Sequence, residues 1–138
     1  MSTLTIEQIR HELTWRMRHK VLYPDKTLAE MAMEEDLQGI HFGAFGEKYL
    51  LAVVSLFQNG TDYQFRKLAV DPDHQKQGIG SKLLQYITDY AKAEGGTRIW
   101  CNARLTAIDF YAAHGFTRTG NFFTRNGFEY EIIEKPLA

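Results

Sequence analysis

Leu68-Ala69-Val70-Asp71-Pro72-Asp73-His74-Gln75-Lys76-Gln77-Gly78-Ile79-Gly80-Ser81-Lys82-Leu83-Leu84 joins a strand-like run to a glycine-containing loop and then to a helix. The helix is marked by a 3.6-residue stripe, Ile79, Leu83, Leu84, Ile87, Tyr90 and Ala91, and it stops near Gly95-Gly96. A strand, loop and helix in this order aim free backbone N–H groups and the positive helix end at one spot. That spot suits an anion such as a pyrophosphate. Gly78 and Gly80 would let a phosphate approach the main chain with no Cβ in the way. Read alone, the same loop also fits a tight structural turn.

Two other nucleotide motifs are excluded by residue order. A Walker A loop requires Gly-x4-Gly-Lys-Ser/Thr, whereas Gly80-Ser81-Lys82 runs in the wrong order. A dinucleotide fingerprint requires a third glycine where Leu83 stands and a first strand from a parallel sheet.

Working outward, Thr5-Ile6-Glu7-Gln8 has the pattern of a capping box. Ile9, Leu13 and Met17 follow at helical spacing, predicting a helix from about Thr5 to about Leu22 that stops before Pro24. A shorter helical segment is expected over Leu28 to Asp36. Three strands follow, Gly39 to Phe45, Lys48 to Gln58 and Tyr63 to Val70, with Asn59-Gly60 as a hairpin signal. Beyond the central helix, Arg98 to Asn102 reads as a strand. Thr106 to His114 reads as a helix capped by Thr106 and stopped at Gly115. Phe116 to Phe123 and Phe128 to Ile133 close the chain as two strands around Arg125-Asn126-Gly127. The strand–helix–strand unit favours a parallel pairing, so the sheet should be mixed.

The 138 residues contain no repeat and no Pro/Gly linker, and one domain, 1–138, is the simplest organisation. With 16 basic and 17 acidic side chains the net charge is -1, which gives no electrostatic footprint for nucleic acid. A single cysteine, Cys101, excludes an internal disulfide and a Cys-based metal cluster, and it points to a reducing, cytoplasmic setting. No signal-peptide pattern and no membrane-length apolar run is visible, so no membrane partner is expected. The histidines show no metal spacing, and Cys101 reads as a buried filler.

Gln75-x-x-Gly78-x-Gly80 after Leu68-Ala69-Val70-Asp71-Pro72 resembles the acetyl-CoA loop of the GNAT N-acetyltransferase superfamily. Asn102-Ala103-Arg104 through Ala107-Ile108-Asp109-Phe110-Tyr111-Ala112-Ala113-His114-Gly115-Phe116 resembles that superfamily's Asn, then Ala-x-x-Phe-Tyr-x-x-x-Gly-Phe signature. The order of elements agrees along nearly the whole chain, except that the superfamily's first strand is short or missing in this reading.

The resemblance implies an α/β (α+β) fold: a mixed, mostly antiparallel central sheet flanked by helices, with a splayed strand pair holding acetyl-CoA. It implies main-chain contacts to the pantetheine arm at Leu68 and Val70, and an oxyanion-stabilising N–H at Leu68 or Ala69. It implies a pyrophosphate cradle spanning Gln75, Lys76, Gln77, Gly78, Ile79, Gly80 and Ser81. Tyr111 matches the general acid that protonates the leaving CoA thiolate, and Asn102 falls near the cofactor arm or the incoming amine. The implied reaction is direct attack of a neutral primary amine, of a small molecule or a peptide, on the thioester.

Each residue also has a structural reading: Tyr111 as packed aromatic, Asn102 as strand-end cap, Glu34-Glu35-Asp36 as solvated turn. Arg18-x-x-Val21-Leu22, the acidic stretch ending at Asp36, and His41 resemble a small bacterial GNAT group. There Arg18, Asp36 and His41 would line the acceptor end, with Asp36 a candidate catalytic group, and Glu34-Glu35-Asp36 is the place to look for amine recognition, which adds Glu35 as a candidate substrate-binding residue. The alternative function is a catalytically silent CoA-binding domain acting as sensor or interaction module. Exposed strand edges could pair between two copies, so a homodimer is also among the expectations.

Overall fold

The computed structural model describes residues 4–137. Seven strands, β1 (Thr5–Ile9), β2 (Ile40–Phe45), β3 (Leu50–Asn59), β4 (Asp62–Val70), β5 (Arg98–Arg104), β6 (Thr117–Arg125) and β7 (Phe128–Pro136), pair in the order β1-β2-β3-β4-β5-β7-β6. The helices are α1 (Trp15–Met17), α2 (Ile79–Ala93) and α3 (Ile108–Ala112). The chain divides into two compact units. One takes the residues up to Phe57 and Arg66–Ile87; the other takes Gln58–Phe65 and the residues from Thr88 on. No helix among the described residues is long and apolar enough to cross a membrane.

In the first unit β2 and β3 pair antiparallel, with Phe42 opposite Val54, Ala44 opposite Ala52, and His41 opposite Ser55. Side chains alternate across a strand, so Phe42, Ala44, Ala52 and Val54 share one face, and His41 and Ser55 share the other. Tyr86 of α2 lies 5.5 Å from Phe42, ring to ring, while Met17, Val53 and Ala69 form a second buried cluster with Ile9, Val21, Leu22 and Leu50. Burial on both faces explains why Leu50 to Leu56 reads as a nearly continuous apolar run rather than an alternation.

In the second unit β4 and β5 pair parallel, from Asp62 opposite Arg98 to Gln64 opposite Trp100. β5 pairs antiparallel with β7 along its whole length, and β6 pairs antiparallel with β7. The mixed, mostly antiparallel sheet expected from the sequence is the sheet observed.

Three local expectations are corrected. Thr5 to Gln8 does not cap a helix: the segment is β1, paired from Thr5 opposite Phe45 to Ile9 opposite His41. The open edge of β2 offers a ladder of backbone partners, and this outweighs one local capping pattern. It also supplies the first strand that the sequence reading found short or missing. The helical stretch starts only at His11 and changes character twice, through a 3-10 turn (His11–Thr14), α1, and a π turn (Arg18–Leu22). The expected helix over Leu28 to Asp36 is two 3-10 turns, Ala29–Met31 and Glu34–Gln38, because Ala32 and Met33 are extended. Thr106 is not a cap: it lies in a 3-10 turn, and Ala107 precedes α3 without a side-chain bond.

Candidate active site

The loop read first from the sequence is built by side chains that tie it to its own strand. Asp71 accepts from the Asp73 N–H at 2.9 Å and from Lys20 Nζ at 2.9 Å, and these bonds hold its carboxyl below the usual range. Gln75 Nε2 donates to the Val70 carbonyl at 3.1 Å. Lys76 (φ +65°) and Gly78 (φ +81°) are both left-handed, and a Cβ built on Gly78 would meet nothing within 4 Å. The first bond of α2 runs from the Lys82 N–H to the Gly78 carbonyl at 3.1 Å. The N–H groups of Ile79 and Gly80 therefore precede the helical ladder, as the orphan donors of a helix start do.

A cavity of about 540 Å³ adjoins this loop, lined among others by His74, Gln77, Ile79, Lys82, Lys48 and Leu51. Lys48 and Lys82 have no ion-pair partner among the described residues. Open space over Gly78, orphan N–H groups and two unpaired ammonium groups fit an anionic, phosphate-bearing ligand. Upstream, Lys67 is left-handed (φ +59°) inside β4, directly before Leu68, Ala69 and Val70. Its ammonium donates to the Tyr23 hydroxyl and sits 4.4 Å from the centre of that ring.

In the second unit Tyr111 stands on α3 in an aromatic cluster, its ring 5.6 Å from Phe65, 6.0 Å from Phe116 and 5.2 Å from Phe110. Burial, and then the neighbouring Cys101, pushes the phenol well above its ordinary pKa, so it holds its proton at neutral pH. Its hydroxyl has no hydrogen-bond partner among the described residues, yet it is not sealed from solvent. A buried tyrosine ordinarily spends its hydroxyl on a protein partner. Cys101 is 3% exposed, and burial pushes its thiol up, as expected of a filler rather than a nucleophile. Asn102 alternates with the buried Cys101 and Ala103 along β5, so its side chain leaves the opposite face of the strand.

Arg18, Asp36 and His41 do come together, within the first unit. Arg18 Nη1 and Nη2 bond to the two carboxylate oxygens of Asp36, each at 2.9 Å. Nη1 also donates to the Met31 carbonyl and Nη2 to Ser55 Oγ, both at 2.9 Å. His41 bonds Ser55 Oγ through Nδ1 at 2.7 Å and the Asp36 carbonyl through Nε2 at 2.8 Å. All four side chains are buried. Burial alone would raise Asp36, but hydrogen bonds from Arg18 and the Met33 N–H outweigh it and hold the carboxyl below its usual range. Burial lowers His41. Glu35 stands outside this group, exposed, 3.3 Å from Arg66. Ser55 was not singled out as a site residue, although a lone hydroxyl in the apolar run from Tyr49 to Phe57 was a visible signal.

Residues 6–116 match the model of the acetyltransferase (GNAT) family. The chain is 28% identical to an uncharacterized N-acetyltransferase, YitI, of Bacillus subtilis, over 94% of this chain and 93% of that protein. It is 33% identical to the [ribosomal protein bS18]-alanine N-acetyltransferase of Escherichia coli, over 64% of this chain and 71% of that one. A GNAT family acetyltransferase from Elizabethkingia anophelis, solved with acetyl-CoA bound, superposes with a TM-score of 0.78 at 16% identity, over 96% of this chain and 97% of that one. The strand–loop–helix geometry, the seven-stranded order and a family match over most of the sequence agree, and the chain belongs to the GNAT acetyltransferase family.

Proposed function

We propose that this protein transfers the acetyl group of acetyl-CoA to a primary amine, with Tyr111 as general acid. One observation supports this most directly: Tyr111 keeps a protonated phenol, held by aromatic packing, whose hydroxyl no described side chain uses. A domain that only bound CoA would have no need of such a group.

The donor supplies an activated thioester, and the residues named here hold and orient it. Gln75, Lys76 and the N–H groups from Gln77 to Ser81 take the phosphates. Leu68 and Val70 would pair with the arm, and the N–H of Leu68 or Ala69 would stabilise charge on the carbonyl oxygen. With acetyl-CoA bound, Tyr111 Oη would supply the proton for the CoA sulfur as the amine replaces it on the acetyl carbon, and Asn102 would orient the arm or the amine. Asp36 is committed on both oxygens to Arg18, so in this reading the amine proton leaves through water. The acceptor is a small or peptide amine; the name of one relative gives an alanine of ribosomal protein bS18 as what it acetylates.

Calorimetry with acetyl-CoA, followed by free-thiol detection with spermidine, an alanine-terminated peptide and an aminoglycoside, tests the assignment. Tyr111→Phe should cut kcat by about 10²-fold and leave acetyl-CoA affinity unchanged. An unchanged kcat would remove Tyr111 from the proton path. Gly78→Glu should abolish donor binding by placing a carboxylate against the phosphates. Saturable binding with no turnover on any amine would favour the silent binder.

A further inference from the structure

We infer that Arg18, Asp36, Ser55 and His41 form one closed ring of positioning residues that holds the Tyr23–Gly39 segment in place as the acceptor-facing wall. None of the four touches the acceptor. The word "acceptor" rests on the function proposed above, in which the thioester arm lies at Leu68, next to the Lys67 that meets Tyr23 at the start of this segment; the ring itself does not.

The segment has few holds of its own. Every residue from Pro24 to Glu30 is exposed, and the two deeply buried residues of the segment are Met31 and Asp36, at 4% and 2%. Arg18 binds both, through the Met31 carbonyl and the Asp36 carboxylate. Asp36 in turn accepts the Met33 N–H at 3.0 Å and fixes the entry to the second 3-10 turn. The carbonyl of Arg18 also accepts the Tyr23 N–H at 3.2 Å, which closes the π turn, and the Tyr23 hydroxyl meets Lys67 beside Leu68. One arginine thus fixes the start of the segment by its main chain and the middle by its side chain.

With His41 neutral, the hydrogen-bond directions around the ring admit a single arrangement. The Asp36 carbonyl can only accept, so His41 Nε2 carries the hydrogen. Arg18 can only donate, so Ser55 Oγ accepts from it and gives its own hydrogen to His41 Nδ1. The ring closes with a neutral imidazole. A second proton on Nδ1 would reverse the bond to Ser55, take from the Ser55 hydroxyl hydrogen its acceptor in the ring, and set a second cation beside Arg18. The charged or titratable groups facing His41 are Asp36, Arg18 and His11, the last 6.1 Å away ring to ring; Phe57 covers another side, edge-on at 6.2 Å.

Ser55→Ala is the informative variant, because Ser55 is fully buried on β3 and no acceptor can reach it. Hydrogen exchange of the 29–39 peptide, corrected for intrinsic rates between pH 5 and 8, is read alongside acetyl-CoA affinity and amine KM. Wild type should lose protection of this peptide only on the acid side of the ordinary histidine range. Ser55→Ala should lose it at higher pH, since Nδ1 no longer faces a committed donor. His41→Gln, which can bond both partners and cannot titrate, should show no such pH step. Ser55→Ala should also raise the KM of whichever of spermidine or the alanine-terminated peptide is turned over, about tenfold, with acetyl-CoA affinity unchanged. An identical pH profile in all three proteins, or a fall in kcat with no change in KM or exchange, would overturn the ring as a positioning device. If no amine is turned over, the proposed function fails, while the exchange profile still decides the ring.

Discussion

The first unit holds its buried polar group by wiring, and the second holds Tyr111 by packing. Arg18, Asp36, Ser55 and His41 each bond to another member of the ring, and their geometry is set by donors and acceptors. Tyr111 is fixed by the faces and edges of Phe65, Phe110 and Phe116, and its hydroxyl is left over. Wiring consumes polar groups, so a wired residue is committed to structure. Packing consumes only the ring, so the polar tip stays available for chemistry. By this criterion Tyr111 is free to act and Asp36 is not.

The two modes should fail differently. The largest effect is expected for Arg18→Met, which strands the Asp36 carboxylate in the interior and should cost about 4 kcal/mol in urea unfolding. Adding Asp36→Leu should recover much of that loss; a double variant no more stable than the single would mean that the ring stabilises beyond its charge pairing. Phe65→Ala should cost about 3 kcal/mol through the cavity it opens under Tyr111. It should leave the acid sensitivity of the first unit untouched, and a shared change would show that the modes are not separable.

The pH dependence comes next. His41 and Asp36 both have folded-state pKa values below their ordinary ones. The stability from neutral His41 is therefore complete above about pH 6.5 and is lost as the pH falls through its lower folded value. Asp36 adds a second loss, starting below about pH 4. Unfolding midpoints measured from pH 8 to pH 3 should fall in that order, and His41→Gln should erase the first step. The smallest effect is Tyr111→Phe, which removes a hydroxyl without a described partner and should change stability by less than about 0.5 kcal/mol. A larger loss would mean that the hydroxyl is wired after all.

What the sequence made legible follows from the range of the interactions. The stretch from Leu68 to Leu84 reads correctly because strand, left-handed loop and amphipathic helix are local patterns; Gly78 and the stripe from Ile79 to Ala91 are visible without a partner. The end of α3 was legible for the same reason, Gly115 stopping the helix at φ +88°, whereas Tyr111 was singled out by resemblance. β1 was not, because Thr5-Ile6-Glu7-Gln8 satisfies a local rule, while the edge of β2 that recruits it lies some forty residues away. Arg18, Asp36 and His41 were grouped by resemblance, but nothing in their spacing revealed that Ser55 closes the group. Cross-strand register decides that, and register is set by the whole sheet.

The ring also has a consequence for synthesis. Its members run from residue 18 to residue 55, and the Arg18–Ser55 bond alone spans 37 residues. On a chain made from the N-terminus, the guanidinium leaves the ribosome well before the hydroxyl that completes its shell. Until β3 has emerged, Arg18 stays hydrated and the stretch from Tyr23 to Gly39 has nothing to fasten to. A nascent chain stalled before Ser55 should be cut by protease within that stretch, and one stalled well after it should be spared.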